Sequence, residues 1–343
     1  MSWYNTPGPV QTHVLYTKVR YVRNPSDINF YHLSDQDRAN ELFSRLNTIL
    51  EGNGFRGEKI NESASPYLLS LAEKQLAEKD IVFSKKPRAL YFNDPCNLTV
   101  ALGGDNYISI SSVVSGLALN EALNMASGAE ELIDREVSFA YSDTLGYLSP
   151  NCNECGSGAT FSCALYLPSL RLLGEFSKKM LSLSSLSMSL SPMIQEGSNC
   201  GDVYILSYIP HYLSDENDAA AHFTNTVSRL VKKEETILNA LYKDKTQNIY
   251  DKARRALGIL LYSESIDENE MLTLLSDVRL YHSIGKFERS ALPEINDLNY
   301  LFIEGLNYST ILTTGEKCGS MDDCNRARSA FIKKYLKDKA EVS

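Results

Sequence analysis

The chain has 343 residues, 43% hydrophobic and 22% charged, with a formal net charge of −9. That length can bury a large core and divide into two domains, and the acidic balance argues against a nucleic-acid or anionic-membrane partner, which would call for a basic patch. The longest apolar runs, such as Ala256 to Tyr262, are too short to span a bilayer, and Met1 to Pro9 lacks the basic and apolar regions of a secretory signal, so a cytoplasmic protein is expected.

Val14 to Val22 reads as a strand of β-branched and aromatic residues. Ser34 and Asp37 make a capping-box-like start to a helix with Leu42, Leu46 and Ile49 on one face and Gly52 as its stop. Gly52 to Ser63 is polar and reads as a loop; Ala89 to Phe92, Leu98 to Leu102 and Tyr107 to Ile110 read as strands separated by turn residues. A helix is expected from about Leu117 to Asp134, strands over Val137 to Tyr141 and Cys163 to Leu167, and a helix over Arg171 to Met180. In the Ser-rich run Leu181 to Ser191, apolar Leu186, Met188 and Leu190 alternate with serine, which suits a half-buried strand. Val203 to Ile209 is a further strand.

Beyond this point the pattern turns helical. Ser214 opens a long helix carrying Phe223, Val227, Leu230, Leu238 and Leu241, Ala256 to Tyr262 belongs to a second, and a third starts at Asp267 with Glu270 as its capping partner and Ile266 stapled on Met271. The fold class is therefore α+β: an antiparallel sheet with helices over residues 1–243, and an all-helical domain over 244–343.

Local chemical motifs are sparse. Seven cysteines, an odd number in a long chain, favour reduced thiols over a disulfide framework. Cys152-Asn153-Glu154-Cys155 offers half a zinc site or a redox pair, but no second C-x-x-C or H-x₃-H accompanies it, so no metal site is expected and coincidence is the plainer reading. His13, His32, His211, His222 and His282 are scattered. No Walker-type phosphate loop occurs, and Gly156-Ser157-Gly158 reads as a tight turn.

Read in order, several segments carry more. Val14 to Asn24 resembles the strand pattern S-S-R-[IV]-R-L-A-R-N, Gly116 to Leu123 resembles G-L-x-L-x-E-A-L, and Ala140 to Ser149 resembles A-F-D-E-x-L-G-Y-L-T. Leu165 to Leu170 resembles M-x-L-P-A-L, Glu196-Gly197-Ser198 a G-E-G-S loop, and Leu275 to Leu280 L-S-D-V-R-L. On these motifs the chain resembles the bacterial protein-arginine kinases of the ATP:guanido phosphotransferase (phosphagen kinase) superfamily. The resemblance implies a phosphagen-kinase-like domain on an antiparallel sheet and a C-terminal helical domain for dimerisation and phosphoarginine binding. It also implies carboxylates that hold a guanidinium and arginines that surround the phosphates of Mg-ATP.

That arginine set is depleted here. Lys18 stands at the first position and Arg20 keeps the second, whereas Ser109, Thr160 and Ser191 stand where the resemblance places arginines. Asn151 replaces the substrate-loop cysteine, Asp105 matches a catalytic glutamate one methylene longer, and Glu196 is retained. A charge-assisted hydrogen bond contributes roughly 1.5–3 kcal/mol. Losing several implies about 5 kcal/mol, a rate loss of several thousandfold. Lys18 lacks the bidentate fork that would compensate. Binding of Mg-ATP is expected to be weak or absent, and Asp105 and Glu196 to be vestigial. The phosphoarginine-reading motif R-D-x-R-R becomes Cys324-Asn325-Arg326-Ala327-Arg328, expected on a solvated helix face.

The leading expectation is a pseudokinase scaffold that forms a homodimer and binds a protein partner, an activator or stress-protease component by family analogy. The alternatives are an active kinase using relocated cations (Lys85, Lys86, Arg88 or Arg171) and a non-catalytic binder of arginine peptides through Asp105 and Glu196.

Overall fold

The computed structural model describes residues 2–33, 36–194, 201–211, 215–284, 292–315 and 320–342. The chain enters through strand β1 (Val14–Arg23), helix α1 (Gln36–Gly52) and strand β2 (Arg56–Ile60). Helices α2 (Pro66–Glu73) and α3 (Lys79–Phe83) lead into strands β3 (Arg88–Phe92), β4 (Leu98–Leu102) and β5 (Ile108–Ser115), then helix α4 (Leu119–Asp134). A small hairpin, β6 (Tyr141–Ser142) and β7 (Gly146–Tyr147), precedes β8 (Ala159–Tyr166), α5 (Pro168–Leu172), α6 (Phe176–Ser184), β9 (Met188–Pro192) and β10 (Val203–Tyr208). The remainder is helical: α7 (Glu216–Tyr242), α8 (Thr246–Tyr262), α9 (Glu268–Ser283), α10 (Ile295–Glu304), α11 (Asn307–Thr314) and α12 (Met321–Val342).

Eight strands form one sheet in the order β2-β3-β4-β5-β1-β8-β10-β9, with every neighbouring pair antiparallel. The expected α+β class with an antiparallel sheet is what the chain adopts. Period-two alternation sorts the side chains between two faces. Val19, Tyr21, Ile110, Phe161, Cys163, Leu165 and Leu206 face one way, into a core closed by α1, α4 and the Phe223–Val227 part of α7. Tyr16, Val113, Ala164, Tyr166 and Val203 face the other way and pack under Met271, Leu272, Leu275 and Val278 of α9. The C-terminal helices therefore cover only one end of that second face. At the other end Leu90, Phe92 and Ala101 pack under α2 and α3, and the site lies on the polar stretch between the two.

Several expectations need correction. The presumed loop Gly52 to Ser63 contains β2, an edge strand with Arg56, Glu58 and Lys59 exposed. Such an edge shows no hydrophobic alternation to read. Of the strand expected over Val137 to Tyr141, Phe139 forms only a bridge with Pro25 and Tyr141 opens the two-residue strand β6. The helix over Arg171 to Met180 is broken at Gly174, which adopts φ +65°. The front of the Ser-rich run finishes α6, and the strand begins only at Met188, with Met188 and Leu190 inward and Leu186 left exposed.

Helix starts are mixed. Asp267 caps α9 as expected, accepting from the Glu270 N–H at 2.8 Å, and Ile266 and Met271 are fully buried. Ser34 and Ser214 lie outside the described residues; α7 is capped by Asp215, whose Oδ1 accepts from the N–H groups of Asn217 and Asp218. Among the described residues no helix is long and apolar enough to cross a membrane.

Candidate functional site

Residues paired directly across an antiparallel sheet project on the same face. Arg20 lies opposite Ser111 on β5 and Thr160 on β8, and Lys18 opposite Val113 and Ser162. Ser162 in turn lies opposite Ser207 on β10, and Ser207 opposite Ser189 on β9. Ser109 and Ser191 belong to the same face, by their alternation with these pairs. The predicted positions Lys18, Arg20, Ser109 and Thr160 thus meet on one polar floor rich in hydroxyls. Ser191 sits at its far edge. Asp105 lies on the β4–β5 turn, and Glu196 lies outside the described residues.

Both cations of the floor already have acidic partners. Arg20 Nη1 donates to Glu154 Oε1 at 2.7 Å and its Nε to Ser109 Oγ at 3.0 Å. Lys18 Nζ donates to Glu78 Oε1 at 2.6 Å and to the Gln75 carbonyl at 3.1 Å. Burial would push the Glu78 carboxyl up, but the charges of Lys18 and Arg20, with hydrogen bonds from Lys18 and Ser111, lower its pKa to about 2. Burial would likewise discharge Arg20, and Glu78 and Glu154 reverse that, raising its pKa.

Glu154 is itself fixed in place. Its Oε2 accepts from Asn106 Nδ2 at 2.8 Å and Ser149 Oγ at 3.3 Å. Asn106 Oδ1 accepts from Asn24 Nδ2 at 2.8 Å and from Ser149 Oγ at 2.9 Å. This network aims a carboxylate at Arg20 from the loop before β8.

Beside the floor opens a cleft of about 560 Å³ lined by Tyr31, His32, Asp80, Lys86, Asp105 and Asn151 among others. Asp105 is exposed, and its backbone N–H donates to Asp80 Oδ2 at 3.0 Å. Gly104 permits that approach, because a Cβ there would stand 2.3 Å from Asp80 Oδ2. Burial raises the Asp80 carboxyl pKa. Asn151 Oδ1 accepts from the Asn153 N–H at 3.1 Å and caps the Cys152–Glu154 turn.

Of the other cations named from the sequence, Arg88 and Arg171 are engaged elsewhere. Arg88 is buried and donates to the carbonyls of Ile81, Glu62 and Lys86. Arg171 makes a two-point pair with Asp202, at 2.6 and 2.8 Å. Lys86 lines the cleft, with Nζ donating to the Tyr31 carbonyl at 3.0 Å.

Sequence reasoning missed Glu78, Asp80 and Glu154. Glu154 had a signal, since it lies inside the Cys152-Asn153-Glu154-Cys155 motif. Glu78 and Asp80 fall in no motif and reach the site only through tertiary packing. One expectation is corrected on α12: Arg326 is exposed, but Arg328 is fully buried and donates to the carbonyls of Gly305 and Ile266. Among the described residues no group of three or more potential ligands could hold a metal ion.

An antiparallel sheet whose polar face carries paired basic and acidic side chains, followed by an all-helical segment, defines the class. Residues 36–237 match the model of the ATP:guanido phosphotransferase C-terminal catalytic domain, and residues 246–342 match that of the protein-arginine kinase McsB C-terminal domain. The chain belongs to the ATP:guanido phosphotransferase family, as a divergent member of its protein-arginine kinase branch. It is 27% identical over 307 residues to the protein-arginine kinase of Syntrophomonas wolfei, covering 87% of this chain and 86% of that one. To the protein-arginine kinase of Clostridium acetobutylicum it is 24% identical, covering 98% and 99%. Among solved structures, the duplicated taurocyamine kinase of Schistosoma mansoni superposes with TM-score 0.59 at 17% identity, over 76% of this chain and 38% of that one. A lombricine kinase gives TM-score 0.55 at 14% identity, over 66% and 67%. These structures share the fold.

Proposed function

We propose that this chain is a catalytically degenerate protein-arginine kinase homologue, a pseudokinase that serves as a scaffold or regulatory binding protein. The observation that carries this reading is the pairing of Arg20 with Glu154. In kinases of this family type, phosphoryl transfer rests on positioning and on neutralising phosphate charge. Here Ser109, Thr160 and Ser191 offer hydroxyls instead of guanidinium groups, and Lys18 and Arg20 are neutralised by Glu78 and Glu154. A triphosphate entering this floor would have to displace two carboxylates and then lie beside them. The helical segment 244–343 is retained, which suits a role in self-association or in binding an adaptor or stress-protease component. Titration of the full-length chain with Mg-ATP by calorimetry tests the reading. No heat at micromolar nucleotide is expected; micromolar binding, or ATP-dependent phosphoarginine on any protein substrate, overturns it.

One observation favours a second reading, a binder of arginine side chains without chemistry. Asp105 is exposed at the mouth of a cleft that also holds Asp80, so acidic groups face open space. An arginine-rich peptide should then raise Tm, and a variant carrying both Asp105→Ala and Glu196→Ala should lose the response. No rise in the unmodified chain excludes it.

A further inference from the structure

The turn that carries Glu154 is bounded by two thiols. Cys152 is exposed and Cys155 half-buried, and both are free. The Cys155 N–H donates to the Cys152 carbonyl at 3.4 Å, which closes a four-residue turn. Such turns hold their end Cα atoms within about 7 Å, and a disulfide needs a Cα separation of about 4.4–6.8 Å. The backbone therefore already sits near bridging geometry. Cys155 Sγ is held at the inner end of the turn, donating to the Ser149 carbonyl at 3.4 Å and accepting from the Ser149 N–H at 3.4 Å. By contrast, Cys163 and Cys324 are buried in the body of the protein.

We propose that Cys152 and Cys155 are a redox modification site, forming a reversible disulfide within the loop when met by a low-molecular-weight disulfide. The exposed Cys152 loses its proton to solvent and its thiolate attacks one sulfur of the oxidant. The oxidant's S–S bond breaks, and one thiolate leaves with the bonding pair and takes up a proton. Cys155, deprotonated in turn, attacks the Cys152 sulfur of the mixed disulfide and expels the second thiol. The protein gives up two protons and two electrons, and the oxidant becomes two thiols. The new bond spans the residues on either side of Asn153 and Glu154, so it fastens the turn from which Glu154 reaches Arg20. The proposal is independent of whether nucleotide binds.

The test uses the full-length chain and oxidised glutathione, with alkylation of remaining thiols under denaturing conditions and peptide mass mapping. Two fewer alkylated thiols are expected, with Cys152 and Cys155 in one cross-linked peptide that dithiothreitol restores. Cys152→Ser and Cys155→Ser should each stop at a single glutathione adduct on the remaining thiol. A stable glutathione adduct on Cys152 in the unmodified chain, bridging of either residue to another cysteine, or full retention of both thiols would overturn the proposal.

Discussion

Glu154 Oε1 lies 2.7 Å from Arg20 Nη1, and the two side chains are only 17% and 15% exposed. An anion approaching Arg20 thus competes with one that the chain supplies itself, at no cost in translational entropy. Asn106 and Ser149 hold the other oxygen, so the carboxylate is oriented as well as close. Occupation of Arg20 from within separates this site from one that has merely lost arginines.

Removing that charge should therefore admit an external anion. Glu154→Gln keeps the shape and the contact to Asn106 or Ser149 but removes the carboxylate hydrogen-bonded to the Arg20 guanidinium, leaving it only the more distant charge of Glu78. A charge-assisted contact contributes roughly 1.5–3 kcal/mol, so pyrophosphate affinity should rise about ten- to a hundredfold. Calorimetry of the variant against the unmodified chain measures it. Equal affinities would show that Glu154 does not block the floor.

The Lys18–Glu78 pair makes a prediction in pH. The Glu78 carboxyl is held at about pKa 2 in the folded protein, below its ordinary value of 4.5. A depressed carboxyl contributes stability that is present above the unfolded pKa and is lost as pH falls toward the folded one. Stability should accordingly decline between about pH 4.5 and pH 2, moderated by solvent because the side chain is 30% exposed. Urea melts across this range should give a shallower acid limb for Glu78→Gln. Identical limbs would show that the pair contributes nothing.

Helix α11 lacks a cap of its own, since Leu306 precedes it. Glu73, at the end of α2, supplies one from a distant part of the chain: its carboxylate accepts from the N–H groups of Tyr308 and Ser309 and from Ser309 Oγ at 2.7–3.1 Å. Carboxylates stabilise helix N-termini by satisfying free N–H groups and opposing the dipole. Glu73→Ala should cost about 1–2 kcal/mol in chemical denaturation, and Glu73→Gln less. A neutral Glu73→Ala would remove this contact from the forces joining α2 to the helical segment.

The contrast between Asp267 and Glu73 shows what was legible in the sequence. Asp267 caps the helix that follows it, and local spacing announced it. Glu73 caps a helix more than two hundred residues away, and no window contains both partners. The same holds at the site. Arg20 and Thr160 were found because motifs fix their strands, and the antiparallel register then set them side by side. Glu78 reaches Lys18 from just ahead of the short helix α3, whose position depends on the packing of Ile81 and Val82 in the second core. Strand β2 was missed for a related reason. Its residues are exposed except Ile60, so hydrogen bonding to β3 makes it a strand with no apolar alternation.

Arg328 gives the sharpest test of the helical segment. Residues 328, 332 and 336 follow one stripe of α12, and Arg328, Ile332 and Leu336 are all buried. The guanidinium is spent on ending other elements: it donates to the last carbonyl region of α10 at Gly305, to the Ile266 carbonyl ahead of α9, and to Asn325 and Asn307. Arg326 instead points outward and pairs with Asp323. Arg328→Ala should leave these acceptors unsatisfied in a dry interior and cost about 3 kcal/mol or more. Arg326→Ala should leave Tm unchanged. Free phosphoarginine should not protect either variant or the unmodified chain, because the inner guanidinium is buried on its own acceptors and the outer one is paired with Asp323. Thermal melts of the three proteins with and without phosphoarginine decide it. A stable Arg328→Ala that loses ligand protection would make Arg328 a reader of phosphoarginine and not a structural tie.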